Sequence, residues 1–505
     1  MPDTGDALNK LARSSSIVFT GTIIGQGIGL FGEIIIVRSL SPKVYGQLAL
    51  AYTFAIIGSS LLVFGAPKGI TRMMSADVPE PEQIQIIRSG GMIVVGMMVV
   101  TTIGLLVSRE WIASYLEQPS LSKDLLLFIP ILIFFPLGKV VIGVLRARGR
   151  SFGAVIARYV GSRVFALSLL GAGITFGTPV LGAIGYWVAF PILLLVISIY
   201  FLQQEFALGD LIGRPNGEQL SRVWAFSWPI AITSSFVMLL SNVDIVMISY
   251  FLPSEQIGFY RSLQPLRKIT TFVLTSFVFM YTPLATQYFA NGEEGSLNEL
   301  YRVSSKWITL VTFPFVLVFV VFSSDVIRVF FSAEYVPAAP ALSVLIAGLF
   351  IKAFLGPNGA TVKAINRPRM ELLAAGIGLL VNVVLNATLI PLYGIVGAAA
   401  ATAAGFIVYN VSEVVVIYAI TGGHPFSINT IKPLLPTALA AIVFHRAFLW
   451  FQQTLVSLVA IGILISIVQL SAVFLTKSLE PADIVIIEAI EERVGVNLSS
   501  IKDQV

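Results

Sequence analysis

Fourteen apolar runs of about twenty residues follow one another along the chain, separated by short polar turns. The hydrocarbon core of a bilayer is about 30 Å thick, and about 20 helical residues cross it. In lipid each backbone N–H and C=O must be satisfied within its own segment, so such runs fold as helices. They predict spans near 17–37, 45–66, 89–107, 124–145, 159–178, 180–202, 226–251, 264–288, 305–323, 339–361, 371–390, 395–419, 431–449 and 455–475. The fold class is therefore an all-α polytopic membrane protein with about fourteen transmembrane helices. Charged residues make up only 12% of the chain, against roughly 25% in soluble domains. Mean hydropathy is +0.89. The polar stretch Met1–Ser16 precedes a first run too long for a signal peptide and lacking a small-residue cleavage site, so that run is expected as a retained span.

The same residues exclude several function classes. Cysteine is absent, which removes disulfides and thiolate metal sites. With only His424 and His445, neither a metal centre nor a His-based catalytic site is expected, and no cofactor is implied. The net charge of +5 fits Lys and Arg gathered in cytoplasmic loops, and nucleic acid is not expected as a partner. Arg146, Arg148, Arg150 and Arg158 follow the fourth span, and Lys363, Arg367 and Arg369 follow the tenth. The turns Phe176–Val180 and Ile390–Ile395 carry no charge. By the positive-inside rule the even-numbered loops and both termini are cytoplasmic.

The chain repeats itself. Leu40–Gly46 (LSPKVYG) aligns with Leu252–Gly258 (LPSEQIG), and Pro179-x-x-Gly182-x-x-Gly185 with Pro391-x-x-Gly394-x-x-Gly397, both at an offset of 212 residues. Leu145–Arg150 resembles Val362–Arg367 at 217. Two anchors at one offset point to two pseudo-symmetric six-helix halves in the same orientation, as in transporters built from parallel repeats. The expected organisation is a cytoplasmic N-terminus at 1–16, halves at 17–202 and 226–419 joined by a cytoplasmic linker at 203–225, two further helices at 431–475, and a cytoplasmic tail at 476–505. In that tail Ile484, Ile487, Ile490 and Val494 predict one face of an amphipathic helix.

Ionisable side chains inside spans are costly and usually face a cavity or a partner. Glu33 lies in the first span, with Arg38 just beyond it. Lys139 and Lys352 fall in the fourth and tenth spans at an offset of 213, as equivalent positions of the two halves. Asp244, beside Asn242, is in the seventh span, and Arg261, Arg267 and Lys268 surround the start of the eighth. Arg38, Arg261 and Lys268 have two readings, snorkelling to the interface or lining a cavity. Glu33 and Asp244 also have two, as fixed counter-ions or as groups that couple transport to protons. Lys139 and Lys352 lie deep enough to predict a cavity lining suited to anions. Tyr45, Tyr52, Trp187, Trp224, Trp228 and Tyr260 are expected in interfacial belts.

The stretch from Arg367 to Thr402 places Asn382 and Asn386 on one helix face, then turns through Pro391-x-x-Gly394-x-x-Gly397 into a helix opening with small residues. Its run LNATLIPLYGIVGAAAATAAG resembles the polysaccharide transporter family, the flippases of lipid-linked oligosaccharides and distant relatives of multidrug and toxin extrusion transporters. VRSLSPKVYGQLAL, SNVDIVMISYFLPSEQIGFY and DVIRVFFSAEYVPAAPALSVL resemble that family's other loops, in the same order, over most of Leu11–Leu475. The resemblance implies a non-enzymatic flippase in the cytoplasmic membrane of a prokaryote, moving a polyprenyl-(pyro)phosphate-linked oligosaccharide by alternating access of a cationic central cavity. Lys139, Lys352, Arg38, Arg261, Arg267, Asn382 and Asn386 are the expected cavity residues, with Glu33 and Asp244 for coupling or as counter-ions. Expected partners are the lipid-linked glycan, membrane lipids, and glycosyltransferases or a polymerase of the same pathway. Two other classes stay open. A cation-coupled drug antiporter would favour an acidic cavity, which Glu33 and Asp244 leave possible. A membrane enzyme of glycan assembly would need an Asp-x-Asp or a carboxylate pair in a large polar loop, and neither is found.

Overall fold

The structure, a computed structural model, describes residues 4–63, 65–74, 78–448 and 453–483. Among these residues there are helices and turns and no strand. The expected amphipathic face of Ile484, Ile487, Ile490 and Val494 lies outside the described residues. Among the described residues thirteen helical stretches are long and apolar enough to cross a membrane. One of them, Pro368–Thr421, has 54 residues, about 80 Å of helix and far more than one crossing needs. It is bent at Gly394, where φ is 59° and ψ −138°, so it supplies the eleventh and twelfth expected spans. The protein is a multi-pass membrane protein of about fourteen spans.

By packing, the chain divides into two compact units, Met1–Arg261 and Ser262–Val505. A division by packing and the repeat boundary expected at 203–225 are different kinds of boundary. The first unit opens with α1 (Thr4–Ser39), which takes in most of the polar N-terminal stretch, and α2 (Pro42–Leu62). Gly65, at φ 68°, and Pro67 then interrupt the second span before α3 (Ala66–Met73). The 36-residue α4 (Glu80–Tyr115) follows. The fourth span is broken at Phe128, just before Pro130, into α5 (Leu121–Leu127) and α6 (Ile129–Ala147). In the fifth span α7 (Ser151–Val155) passes into a π-helical turn, Ile156–Gly161, and then α8 (Ser162–Thr175). The unit continues through α9 (Pro179–Leu202), the short α10 (Leu208–Leu211), α11 (Gly217–Leu240) and α12 (Val243–Phe251). The side chain of Asn216 caps α11 by accepting from Glu218 N at 3.1 Å.

Small residues set the closest approaches in this unit. A Cβ on Gly173 would overlap the backbone of Gly182, which is why α8 and α9 can pack backbone to backbone. A Cβ on Gly46 would overlap the carbonyl oxygen of Ser254, and one on Gly258 that of Pro42. Pro42 and Ser254, like Gly46 and Gly258, stand 212 residues apart, so repeat-equivalent positions meet reciprocally.

The helix α13 (Ser254–Ala290) leads into the second unit, which holds α14 (Glu294–Val321) and α15 (Ser323–Phe330). The tenth span is α16 (Ala339–Phe354) and α17 (Asn358–Ala364), separated at Gly356, φ 75°, and Pro357. The long bent helix Pro368–Thr421 is α18. The short α19 (Ile428–Ile431), α20 (Leu434–Phe448) and α21 (Leu455–Leu475) complete the described fold. Helix α18 packs against α16 and α17, while α14 packs against α16, α20 and α21. Within α18 the bend brings its two arms together, since a Cβ on Gly378 would lie 2.8 Å from the carbonyl oxygen of Gly405.

Candidate functional site

In the first unit the charges of the first and eighth spans meet over a buried aromatic cluster. Glu33, on α1, accepts a hydrogen bond from Trp187 Nε1 at 3.1 Å, while its other oxygen has no hydrogen-bond partner. Trp187 stacks on Tyr52 at 4.9 Å, with Tyr45 and Phe128 at 6.2 and 5.9 Å. The guanidinium of Arg261 lies 5.5 Å from the centre of the Tyr52 ring, and its Nε has no partner. Its electrostatic neighbours are Tyr45, Glu33, Tyr52 and Asp244. Asp244 is fully buried and accepts from Tyr260 OH at 2.7 Å and from the backbone N–H of Ile245 at 2.8 Å. Tyr45, Tyr52, Trp187 and Tyr260 are therefore interior residues, not members of an interfacial belt. The polar tips of Trp187 and Tyr260 serve the buried acids Glu33 and Asp244. Trp224 and Trp228 are exposed.

A second group of cations lies on α6, α8 and the π-helical turn between α7 and α8. The half-buried Lys139 holds its Nζ 4.3 Å from the centre of the Phe135 ring, one turn earlier on the same helix. Its charged neighbours are Arg158 and Lys68. Arg158 sits in the π-helical turn, a geometry often found at functional positions. It lies over Tyr159 at 5.2 Å, with Arg146 and Arg163 as its cationic neighbours. Arg163 packs on Phe190 at 5.1 Å and on the bare backbone of Gly29. Lys139, Arg158 and Arg163 make no ion pair with a carboxylate among the described residues. Aromatic rings are their principal neighbours.

In the second unit Lys352 and Arg267 share one ring, lying 5.4 and 5.2 Å from the centre of Phe406. Asn382 and Asn386 make their hydrogen bonds within α18. Both are fully buried: Asn386 Nδ2 donates to the carbonyl and side-chain oxygens of Asn382 at 2.9 and 3.1 Å, and Asn382 Nδ2 donates to Thr402 at 3.2 Å. They tie the two arms of α18 together. Arg38 is exposed at the end of α1 and makes no ion pair among the described residues. Thus the structure gathers Arg261 with Glu33 and Asp244, and Lys352 with Arg267. It gives Lys139 the company of Arg158 and leaves Arg38 outside.

Sequence reasoning passed over Arg163, Lys306 and Glu413 as in-span charges, and took Arg158 only as a loop charge. All four stand inside apolar stretches, which was the available signal. Glu413 is buried, with Tyr409, Glu371, Lys363 and Lys352 around it. Lys306 is buried against Asp483, its Nζ 2.6 Å from Oδ2.

A family model described as polysaccharide biosynthesis protein matches residues 11–289, more than half of the chain. The chain belongs to that family. The MatE family model matches residues 229–388 of this member. The probable low-salt glycan biosynthesis flippase Agl15 of Haloferax volcanii is 27% identical over 171 residues, 34% of this chain and 36% of that protein. The teichuronic acid biosynthesis protein TuaB of Bacillus subtilis is 26% identical over 129 residues, 25% of this chain and 26% of that one. The chain thus aligns with about a third or less of the length of these relatives. Among solved structures, the lipid II flippase MurJ in an inward closed conformation matches with a TM-score of 0.71 at 17% identity, covering 90% of this chain and 98% of its own. An inward-facing multidrug resistance MATE family transporter of the MOP superfamily matches with a TM-score of 0.67 at 15% identity, covering 81% and 98%. At these identities the structural likeness establishes the fold.

Proposed function

We propose that this protein is a flippase that moves a polyprenyl-(pyro)phosphate-linked oligosaccharide across the cytoplasmic membrane of a prokaryote, with both termini on the cytoplasmic side. The supporting observation is the set of in-span cations that carry aromatic neighbours and no paired carboxylate: Lys139, Arg158 and Arg163 in the first unit, Lys352 in the second. A cation in an apolar span is expensive. Keeping several unpaired is sensible where an anion arrives to pair with them, and phosphate oxygens do so strongly. Glycan hydroxyls and phosphate charges cannot cross hydrocarbon without their hydration, so a polar path carries the headgroup while the isoprenoid chain stays in lipid. Access to that path alternates between the two sides of the membrane. We assign headgroup contacts to Lys139 and Arg261 within the first unit and, separately, to Lys352 and Arg267 within the second, and Glu33 and Asp244 act as fixed counter-ions of Arg261. The protein transports and does not catalyse. The names of Agl15 and TuaB, one a probable low-salt glycan biosynthesis flippase and the other a teichuronic acid biosynthesis protein, support the glycan class.

The MatE match favours a second reading, a cation-coupled antiporter. It has less support, because the in-span acids Glu33 and Asp244 are engaged by Trp187, Tyr260 and Arg261. Deleting the gene and identifying the lipid-linked glycan that accumulates on the cytoplasmic face tests the proposal. Export should be restored by the wild type. With Lys139→Met or Lys352→Met it should fall roughly ten- to hundredfold, as expected for loss of a charged hydrogen bond worth about 1.5–3 kcal/mol. Absence of any accumulated lipid-linked glycan, or full export by the double variant, would overturn the reading.

A further inference from the structure

Helices α4 and α11 of the first unit leave an open groove between them of about 450 Å³. Met92 and Met97 of α4 and Leu220 and Trp224 of α11 line it. Gly96 and Gly217 open it, since a Cβ on either would meet no neighbour within 4 Å. Both helices are long and apolar enough to cross a membrane. Polar groups close one end of the groove. Gln85 Oε1 accepts from the backbone N–H of Asn216 at 2.9 Å, Gln219 Nε2 donates to Glu82 Oε1 at 2.9 Å, and Arg222 pairs with Glu82 at 3.4 Å. Arg88 donates through Nε to the carbonyl oxygen of Asp210 at 2.9 Å, and its two terminal nitrogens make no hydrogen bond or ion pair among the described residues. Arg88, Met92 and Gly96 are spaced four apart and share one helix face. The half-buried guanidinium therefore tops the stripe that lines the groove.

A cation above an apolar trough in a span matches a phospholipid. Phosphate oxygens pair with a guanidinium, and basic recesses between membrane helices take lipid headgroups. Size narrows the occupant. A methylene takes about the volume of a water molecule, roughly 30 Å³, so the groove holds on the order of fifteen carbons. That is one chain of an ordinary membrane lipid and only a fraction of a polyprenyl chain. We propose that the groove between α4 and α11 is a phospholipid site, with one hydrocarbon chain against Gly96 and Trp224 and the phosphate on Arg88. It lies at the end that the proposed orientation makes cytoplasmic, so its occupant comes from the inner leaflet. A lipid bound there joins the third and seventh spans where the linker meets them. The site is separate from the cations assigned to the glycan-lipid headgroup and stands whether or not the flippase reading does.

The test uses the full chain in bilayers of a galactosyl diglyceride, which has no phosphate, with a phospholipid of brominated chains added in rising fraction. Bromine quenches an indole that it touches. The emission lost in Trp224→Phe reports the groove. That lost in Trp228→Phe reports the same helix one turn on, where exposure is 45% against 46% at Trp224. Trp224 should reach half of its full quenching at a brominated fraction roughly fivefold lower than Trp228, the preference given by about 1 kcal/mol per juxtamembrane arginine. Arg88→Gln should bring the two curves together. Gly96→Leu, whose Cβ enters open space, should cut the quenching of Trp224 and leave that of Trp228. Coincident curves in the wild type would mean annular contact only and would overturn the proposal. So would a preference that survives Arg88→Gln, or a Trp224 curve untouched by Gly96→Leu. Release of Trp224 from quenching by an equal fraction of unbrominated polyprenyl phosphate, with none by unbrominated phospholipid, would assign the groove to a polyprenyl chain and overturn it as well.

Discussion

Lys306 lies mid-way along α14 with 1% of its side chain exposed, and its replacement by Met has a cost that the structure sets. Its Nζ is 2.6 Å from Asp483 Oδ2, 2.5 Å from the carbonyl oxygen of Ser478 and 3.8 Å from Glu480 Oε1. Asp483 is fully buried and also accepts from Trp307 Nε1 at 2.9 Å and from the backbone N–H of Glu480 at 2.8 Å. The Lys306→Met change leaves the length of the side chain in place and strands the Asp483 carboxylate with two neutral donors that it already had. Removing one partner of a buried pair costs roughly 3–5 kcal/mol, so the population in which residues 476–483 leave α14 should rise by about two to three and a half powers of ten. Asp483→Asn should cost less, because Glu480 stays near the lysine. The double variant should cost less than the sum of the singles by about 1–3 kcal/mol, the range of coupling for groups in direct contact. Tryptic cleavage after Lys477, followed as a function of time, reads the opening. A Lys306→Met protein cleaved no faster than the wild type, or single effects that simply add, would refute the reasoning.

Three further outcomes are expected. Burial pushes the Glu480 carboxyl up, but hydrogen bonds from Ser427 and Asn429 and the charges of Lys306 and Arg302 outweigh it and hold the group below the usual carboxylate range. Its contribution to stability is therefore whole above about pH 4.5 and lost as the pH falls through its depressed folded value. Melting temperatures taken between pH 7 and pH 3 should show a smaller acid-side drop in Glu480→Gln than in the wild type. Gly394→Ala forces a side chain onto a backbone at φ 59° and should lower unfolding stability in mixed detergent by on the order of 1–3 kcal/mol; an unchanged transition would mean that the bend is not built as described. Gly46→Val and Gly258→Val should each cost roughly 1–3 kcal/mol by overpacking and fall short of additivity when combined, because each opens the same contact; full additivity in the same unfolding assay would count against it.

The spans were legible because hydropathy is a local property, and a run such as Leu455–Leu475 needs no partner to be recognised. The breaks within spans were less so. Gly356-Pro357 and Pro130 are visible in the sequence, but prolines at 136, 191 and 229 sit inside unbroken helices, so proline alone does not say where a helix stops. The aromatic residues misled for a physical reason. Tyr and Trp are apolar bodies with polar tips, and that description fits both an interfacial belt and a buried cluster serving Glu33 and Asp244. Asn382 and Asn386 are expected in the cavity, and each other's side chains and Thr402 take up much of their hydrogen-bonding capacity. For Glu413 the sequence gives a lone acid in an apolar run. That its carboxylate faces Gly359 depends on α18 packing against α17, a matter of tertiary structure.

Pro42–Gly46 and Ser254–Gly258 touch so that each glycine faces the other segment's backbone. In an assembly of identical subunits such a contact lies on a twofold axis, since whatever the first copy does to the second is done in return. Held inside one polypeptide, the two surfaces need no encounter, because the connecting chain keeps their effective concentration high. They are also released from sameness. A homodimer must present the same side chain from both sides, so a charge at the axis meets its own sign. Here the equivalent positions are Lys43 and Glu255, with Tyr45 opposite in rank to Ile257. Two like-placed segments of one chain can thus put opposite charges and unlike shapes in symmetric places, and each segment can be tuned without altering the other.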